Sequence, residues 1–285
     1  MVVFVLCCNA LNGLAQSSVS ENYDKKQEKG SSLKIGVNYL NNYVFKGRSD
    51  SVRTAVISPN AKYTFESGFF LSGSVDFVPD NRSKKVSGGD LSVGYSFDLT
   101  EHLDGEASIT KLFYNSSSPQ VASSQSVNFN ASLSYEIEQL LSPFVSVDYA
   151  INKKGYGSDV FITAGLGHEF TVKSIFGTTD LFTVSPSVSL NTGTQNFYDA
   201  FLLRRKQGLT TLQAKEIESQ KQELSKFKLL NYEFSVPVVY KIDHFIVSFV
   251  PSYSIVQNKL PAVIRSKLSD KDALFYFEAG IAFKF

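Results

Sequence analysis

Twelve consecutive residues, Leu274 to Phe285, alternate without a break. Phe275, Phe277, Ala279, Ile281, Phe283 and Phe285 share one side, and Tyr276, Glu278, Gly280, Ala282 and Lys284 share the other. Successive side chains of an extended chain point to opposite faces, so this is a strand with one apolar and one polar face. A helix would scatter the same residues around its axis. Such a strand must lay its apolar side against either a protein core or hydrocarbon.

The pattern recurs along the chain. From Leu33 onward, period-two segments of about 9–11 residues are separated by turn residues. They predict strands near 33–47, 54–66, 68–78, 89–98, 102–114, 125–137, 142–151, 158–170, 179–190, 230–241, 244–256 and 273–285, twelve in all. In the sixth, Val127, Phe129, Ala131, Leu133, Tyr135 and Ile137 oppose Asn128, Asn130, Ser132, Ser134 and Glu136. A soluble two-sheet sandwich would also alternate, but its outer face would carry many charges. Here the polar face is Ser, Gly and Asn with scattered charges, and only 19% of all residues are charged, which suits the lining of a lumen. The expected fold is therefore all-β, a transmembrane antiparallel up-and-down barrel of twelve strands.

The connections sort themselves. Links at Ser67-Gly68, Thr100-Glu101, Gln139-Leu140, Val172 to Gly177 and Asp243-His244 are short, and all are even-numbered. Links from Pro79 to Gly88, Asn115 to Ser124, Asn191 to Lys228 and Gln257 to Lys271 are long, and all are odd-numbered. Short periplasmic turns alternating with long extracellular loops are the barrel pattern. Within 191–228, residues 209–227 read as a short helix, with Thr210 and Gln213 spaced for a capping box and Leu209, Leu212, Ile217, Leu224 and Phe227 forming an apolar stripe. Such a loop either constricts the mouth or covers it from outside.

Some residues strain this scheme. Pro59, Pro186, Pro237 and Pro251 fall inside strands, where each removes a ladder donor, so bulges are expected there. Lys111 falls on the lipid side, near the extracellular end of its strand, where it can snorkel. With no Trp among 24 Phe and 14 Tyr, the interfacial belts must come from Tyr43, Phe45, Phe65, Phe69, Tyr135 and Tyr149.

Twelve strands give a backbone radius of about 12 Å and a lumen of about 6–7 Å radius. The inward set predicts a pore lined by Lys34, Asn38, Asn42, Lys46, Lys62, Asp76, Glu106, Asn128, Asn130, Glu136, Asp148, Glu233 and Glu278. Its acidic excess implies a mild preference for cations. The same charges could instead pair across the lumen and close it, leaving the loops as an adhesive or architectural surface. An enzyme is not expected. The three histidines, His102, His168 and His244, all map to the periplasmic half, and no hydrolase, phosphate-loop or metal motif occurs. No cofactor and no metal are expected. The net charge of +1 offers no field for nucleic acid.

Residues 1–15 read as a secretory signal peptide with Gly13 and Ala15 ahead of cleavage before Gln16, although no Lys or Arg precedes the apolar run. Residues 16–32 form a polar lead-in and 33–285 the barrel. Cys7 and Cys8 both lie in the signal, which leaves the mature chain without a disulfide framework. The expected location is the outer membrane. The expected partners are its lipid, small solutes or ions, and the barrel-assembly machinery, engaged through the last strand with Phe283 and Phe285. The oligomeric state is left open.

Asn42-Tyr43-Val44-Phe45-Lys46-Gly47-Arg48-Ser49, then Pro59, then Ser67-Gly68-Phe69-Phe70-Leu71-Ser72-Gly73-Ser74, resemble the opening of the TorF-type porin family of Gram-negative bacteria. That family opens with an aromatic–apolar–aromatic–basic–Gly hairpin. The resemblance covers residues 33–78 and departs at Phe45, where Trp is expected, and at the long 191–228 insertion. It implies an outer-membrane channel-like barrel and supplies no catalytic residues.

Overall fold

The computed structural model describes residues 30–50, 53–79, 85–137, 141–153, 157–177, 179–198, 211, 223–259 and 271–285. The expected signal peptide and most of the expected lead-in lie outside these residues, as does most of the helix expected at 209–227. The strands are β1 (Ser32–Leu40), β2 (Val44–Phe45), β3 (Arg48–Ser49), β4 (Val56–Thr64), β5 (Phe69–Phe77), β6 (Val86–Asp98), β7 (Leu103–Tyr114), β8 (Gln125–Tyr135), β9 (Ser142–Asn152), β10 (Asp159–Gly167), β11 (Phe170–Lys173), β12 (Leu181–Val184), β13 (Ser187–Gly193), β14 (Lys228–Ser235), β15 (Val238–Ile242), β16 (Phe245–Val256) and β17 (Ala273–Lys284).

All strands but β2 and β3 belong to one antiparallel sheet that closes on itself. β10–β11, β12–β13 and β14–β15 are each one wall strand with a short break, so the wall has twelve strands among the described residues. Closure is made by β1 against β17, with Ile35 opposite Phe283 and Asn38 opposite Gly280. Leu33 N–H donates to Phe285 O at 3.2 Å and Phe285 N–H to Leu33 O at 2.9 Å. A closed sheet leaves no row of unpaired amides, which is what permits strands to cross hydrocarbon.

The wall is inside-out relative to a soluble protein. Ile35, Leu71, Leu91, Ile109, Phe129, Tyr149, Phe275 and Ile281 face outward and are exposed. Their neighbours Asp104, Glu106, Asn128, Asn130, Ser146, Asp148 and Glu278 face inward and are buried. Period-two alternation alone produces this, because a shift of one residue would exchange the two faces. Short turns gather at one end. In the Ser67-Gly68 turn, Gly68 has φ +91° and a Cβ there would lie 2.3 Å from Ser96 O, so no other residue fits.

The prolines break ladders rather than forming bulges. The register shifts lie elsewhere, at Asp76/Phe77, Gln125/Val127 and Asn191/Thr192. Pro186 and Pro237 sit at the breaks between β12 and β13 and between β14 and β15. Pro251 lies opposite the second break. Their carbonyls still accept, from His168 N–H (3.0 Å), Ser185 N–H (2.9 Å) and Val236 N–H (3.1 Å) respectively. At Pro59 the β4–β5 ladder pairs Ile57 and Asn60 but skips the two residues between. A missing donor is accommodated most simply by a gap, so no extra residue is needed.

At the short-turn end, Asp180 organises the link between β11 and β12. Its Oδ2 accepts from Phe176 N–H (2.8 Å), Gly177 N–H (3.2 Å) and the Tyr240 hydroxyl (3.0 Å). Burial pushes the carboxyl up, but the Phe176 amide, the Tyr240 hydroxyl and the Gly177 amide outweigh it and hold the group below its ordinary 3.8. A lowered carboxyl stabilises the fold above its unfolded value and loses that contribution as pH falls through the folded value. Amide protection at Phe176 and Gly177 should therefore be full at neutral pH and decline in acid below about pH 4. Asp180→Ala should abolish it at pH 7, and unchanged protection in that variant, read by hydrogen exchange, would refute the assignment.

Candidate functional site

The chain does not run straight from β1 into a long loop. The wall strand ends at Leu40, and Asn41 to Asp50 turn into the lumen. β2 and β3 form a tight hairpin, Val44 opposite Ser49 and Phe45 opposite Arg48. Its two central residues both have positive φ, Lys46 at 48° and Gly47 at 75°. That is the geometry of a primed two-residue hairpin turn, for which glycine at the second position is favoured. The strand expected over 33–47 is thus two structures, a wall strand and half of a hairpin.

The hairpin crosses the barrel. It leaves the wall between β1 and β4, and its tip bonds to β10, five strands from β1 one way and six from β4 the other. Lys46 Nζ donates to Thr163 Oγ1 and to Asn191 Oδ1, both at 2.9 Å. Arg48 Nε donates to Gln195 Oε1 at 2.8 Å, its guanidinium stacks 4.8 Å from the Tyr198 ring centroid, and it also reaches the Asn258 carbonyl. Phe45 packs edge-on against Phe161 (5.5 Å) and Phe197 (4.9 Å).

Other long links fold in beside it. Gln120, from the link after β7, donates through Nε2 to Asp76 Oδ2 at 2.9 Å. Val121 and Ala122 of the same link are fully buried. The turn after β13 is pinned by Asp159, whose carboxylate accepts from Asn152 Nδ2 (2.7 Å), Thr194 Oγ1 (2.7 Å), Asn196 N–H (2.6 Å) and Phe197 N–H (2.8 Å). Leu224, at the far end of the 191–228 link, joins the same cluster. Among the described residues, fifteen buried apolar side chains form one core at the long-link mouth, including Tyr43, Phe45, Val121, Phe161, Phe197, Tyr198, Leu224 and Leu230. A fully buried large apolar side chain contributes about 1.5–3 kcal/mol, so the plug is a folded body rather than a loose loop. The interfacial-belt expectation fails for Tyr43 and Phe45, which are 3% and 2% exposed inside the lumen. It fits Phe65, Phe69, Tyr135 and Tyr149, all exposed outward.

The expected lining residues separate into two groups. Asn42 and Lys46 belong to the plug, where Asn42 Oδ1 accepts Thr54 N–H at 3.0 Å. The others stand on the wall or at its rim. Asn38 Nδ2 donates to Glu278 Oε1 at 3.1 Å, and Asn231 Nδ2 lies 3.4 Å from Glu233 Oε2. Asn128 and Asn130 both donate to Asp148 Oδ1, at 3.1 and 2.8 Å. Glu106 accepts the Ser96 hydroxyl at 3.0 Å, and Asp76 the Ser58 hydroxyl at 2.7 Å. Glu136 is buried at the end of β8.

Three wall cations are grouped on one side, while carboxylates, Glu278 on β17 included, stand all round the wall. Lys34 lies in register between Lys284 and Lys62, a row of three cations on β17, β1 and β4. Lys62 Nζ sits 4.0 Å over the Phe70 ring. Asp104, Glu106 and Asp148 stand on β7 and β9, across the lumen. Asn128 Oδ1, Asn130 Oδ1, Glu136 Oε2, Ser146 Oγ, Asp148 Oδ2 and Glu278 Oε2 have no partner among the described residues. Leaving such a group dry costs about 1–3 kcal/mol. Water or a polar solute bound at these atoms would remove that cost.

Sequence reasoning missed the plug residues Arg48, Gln120, Asp159, Gln195, Phe197 and Tyr198. Lys46-Gly47 between Phe45 and Arg48 was the one local signal, since it is a hairpin turn sequence. The three histidines stand near the short turns or the β10–β11 break, where His244 Nδ1 is 2.6 Å from the Lys284 carbonyl.

No protein-family profile matches the chain, and no curated protein matches it. Solved structures are similar to it over most of their length at low identity. The KdgM porin is 10% identical with a TM-score of 0.49, covering 89% of this chain and 99% of its own. The NanC porin is 10% identical at 0.46, over 89% and 100%. LpxR from Salmonella typhimurium is 11% identical at 0.46, over 88% and 99%. Likenesses this distant transfer no function.

Proposed function

We propose that the protein is an outer-membrane, porin-like channel for passive diffusion of ions or small polar solutes, akin to the TorF-type porins, with its bore limited by the inner plug. The observation that carries this reading is a closed twelve-stranded wall whose inner face is lined by polar and charged side chains. The outward apolar face meets membrane lipid, and the outer side of β17 presents Phe283 and Phe285 to the assembly machinery. The placement of the histidines supports a channel over a hydrolase.

The test is single-channel recording of the refolded mature chain in planar bilayers, with a heat-modifiability gel to establish folding. Small discrete steps are expected, well below those of an unplugged twelve-stranded barrel. The acidic excess of the wall should give a reversal potential on the cation side, and a chloride preference would contradict that assignment. The fifteen-residue apolar core favours a second reading, a closed barrel acting through its outer loops. Silence from verified folded protein would select it.

A further inference from the structure

Asp148 is a buried carboxylate held by neutral groups. Its donors among the described residues are the Asn128 and Asn130 amides, and both are spent on Oδ1. Its Oδ2 has no partner, and neither do Asn128 Oδ1, Asn130 Oδ1 and Ser146 Oγ. All four side chains are at most 5% exposed. Every unpartnered atom in the group is an oxygen.

Strand register gathers them. Asn130 lies opposite Asp148, with Asn128 two residues along β8 and Ser146 two residues along β9. An amide holds its oxygen about 2.3 Å from its nitrogen. Both amide oxygens therefore fall within about 5.5 Å of Asp148 Oδ1. Oxygens around one hard cation, each about 2.3–2.6 Å from it, spread over about 5 Å. The plug's Lys46 is held elsewhere, by Thr163 on β10 and Asn191 on β13.

We propose that Asp148, Asn128, Asn130 and Ser146 bind a hard monovalent cation of sodium's size, with water completing its shell. A buried charge is either paired or bound to a metal. A carboxylate ringed by neutral oxygens is the donor set that hard cations prefer. One carboxylate balances one positive charge, which favours a monovalent over a divalent ion. Asp148 lies opposite Phe161, on which the hairpin's Phe45 packs, so the ion braces the wall where the plug docks. The site needs the closed wall and not conduction, so a silent barrel would leave it standing.

The mature chain, refolded in an uncharged maltoside detergent, would be unfolded with urea in sodium chloride and in choline chloride at equal ionic strength. Circular dichroism reads the midpoint. An ion that binds only the folded state raises the midpoint in proportion to its occupancy. Sodium should raise it along a saturating curve, and choline, too large for the site, should not. Asp148→Asn should flatten the sodium curve to that of choline. Ser146→Ala keeps the carboxylate and both amides, and should move half-saturation several-fold towards higher sodium. It serves where Asp148→Asn does not fold. Equal wild-type midpoints in the two salts would mean that water alone fills the group, and would overturn the proposal. So would a full sodium response in Asp148→Asn, or stabilisation by calcium at a hundredth of the sodium concentration.

Discussion

Replacing residues 42–50 by a Gly-Ser link should raise single-channel conductance at least about threefold, because a two-stranded hairpin about 10 Å across fills most of a lumen about 13 Å wide. The barrel itself should survive. β1 and β4 pair from Ser32–Thr64 to Leu40–Val56 without help from the hairpin. A single substitution tests the same point more gently. Gly47 has φ +75°, and a Cβ there would lie 3.0 Å from the Asn231 Cβ. Gly47→Val is strained in the backbone and crowded against β14, so it should undock the tip and produce frequent long openings. If both variants fold and conduct like wild type, the hairpin does not limit the bore.

The second large effect is expected at Asp159. Truncating it to Ala strands the Asn196 and Phe197 amides, and Phe197 is completely buried. Unmade buried hydrogen bonds cost about 1–3 kcal/mol each. Amide exchange at these two residues should accelerate about a hundredfold, the equivalent of about 3 kcal/mol of local stability. Asp159→Asn keeps one acceptor and should fall between the two. Because Gln195 in the same turn holds Arg48, the Ala variant should also loosen the hairpin and shift its conductance towards that of the hairpin replacement. Wild-type exchange rates in Asp159→Ala would show that the turn is held by packing alone.

These two sites mark where legibility stopped. The wall was readable because each strand repeats one physical rule. Val127 to Ile137 alternates, and β8 follows it, with Phe129 and Leu133 outward and Asn128 and Asn130 inward. Lys111 was readable as an outward-facing cation because it obeys the alternation of β7. The plug was hidden by the same rule. Asn42 to Phe45 continues the alternation of β1, so by period alone it belongs to the wall. What removes it from the wall is the Lys46-Gly47 turn and an aromatic partner set, Phe161 and Phe197, more than a hundred residues further on.

The amino-acid sequence by itself determined the strand number, the inward and outward faces, the alternation of short and long links and the strand that closes the ring. Each of these follows from local periodicity and turn chemistry, which act over a few residues. Tertiary structure alone decided what fills the mouth. The docking of Phe45, Lys46 and Arg48 on the opposite wall depends on contacts between segments distant in the chain. Such contacts need β1 and β10 to stand across a common lumen, which local periodicity cannot specify.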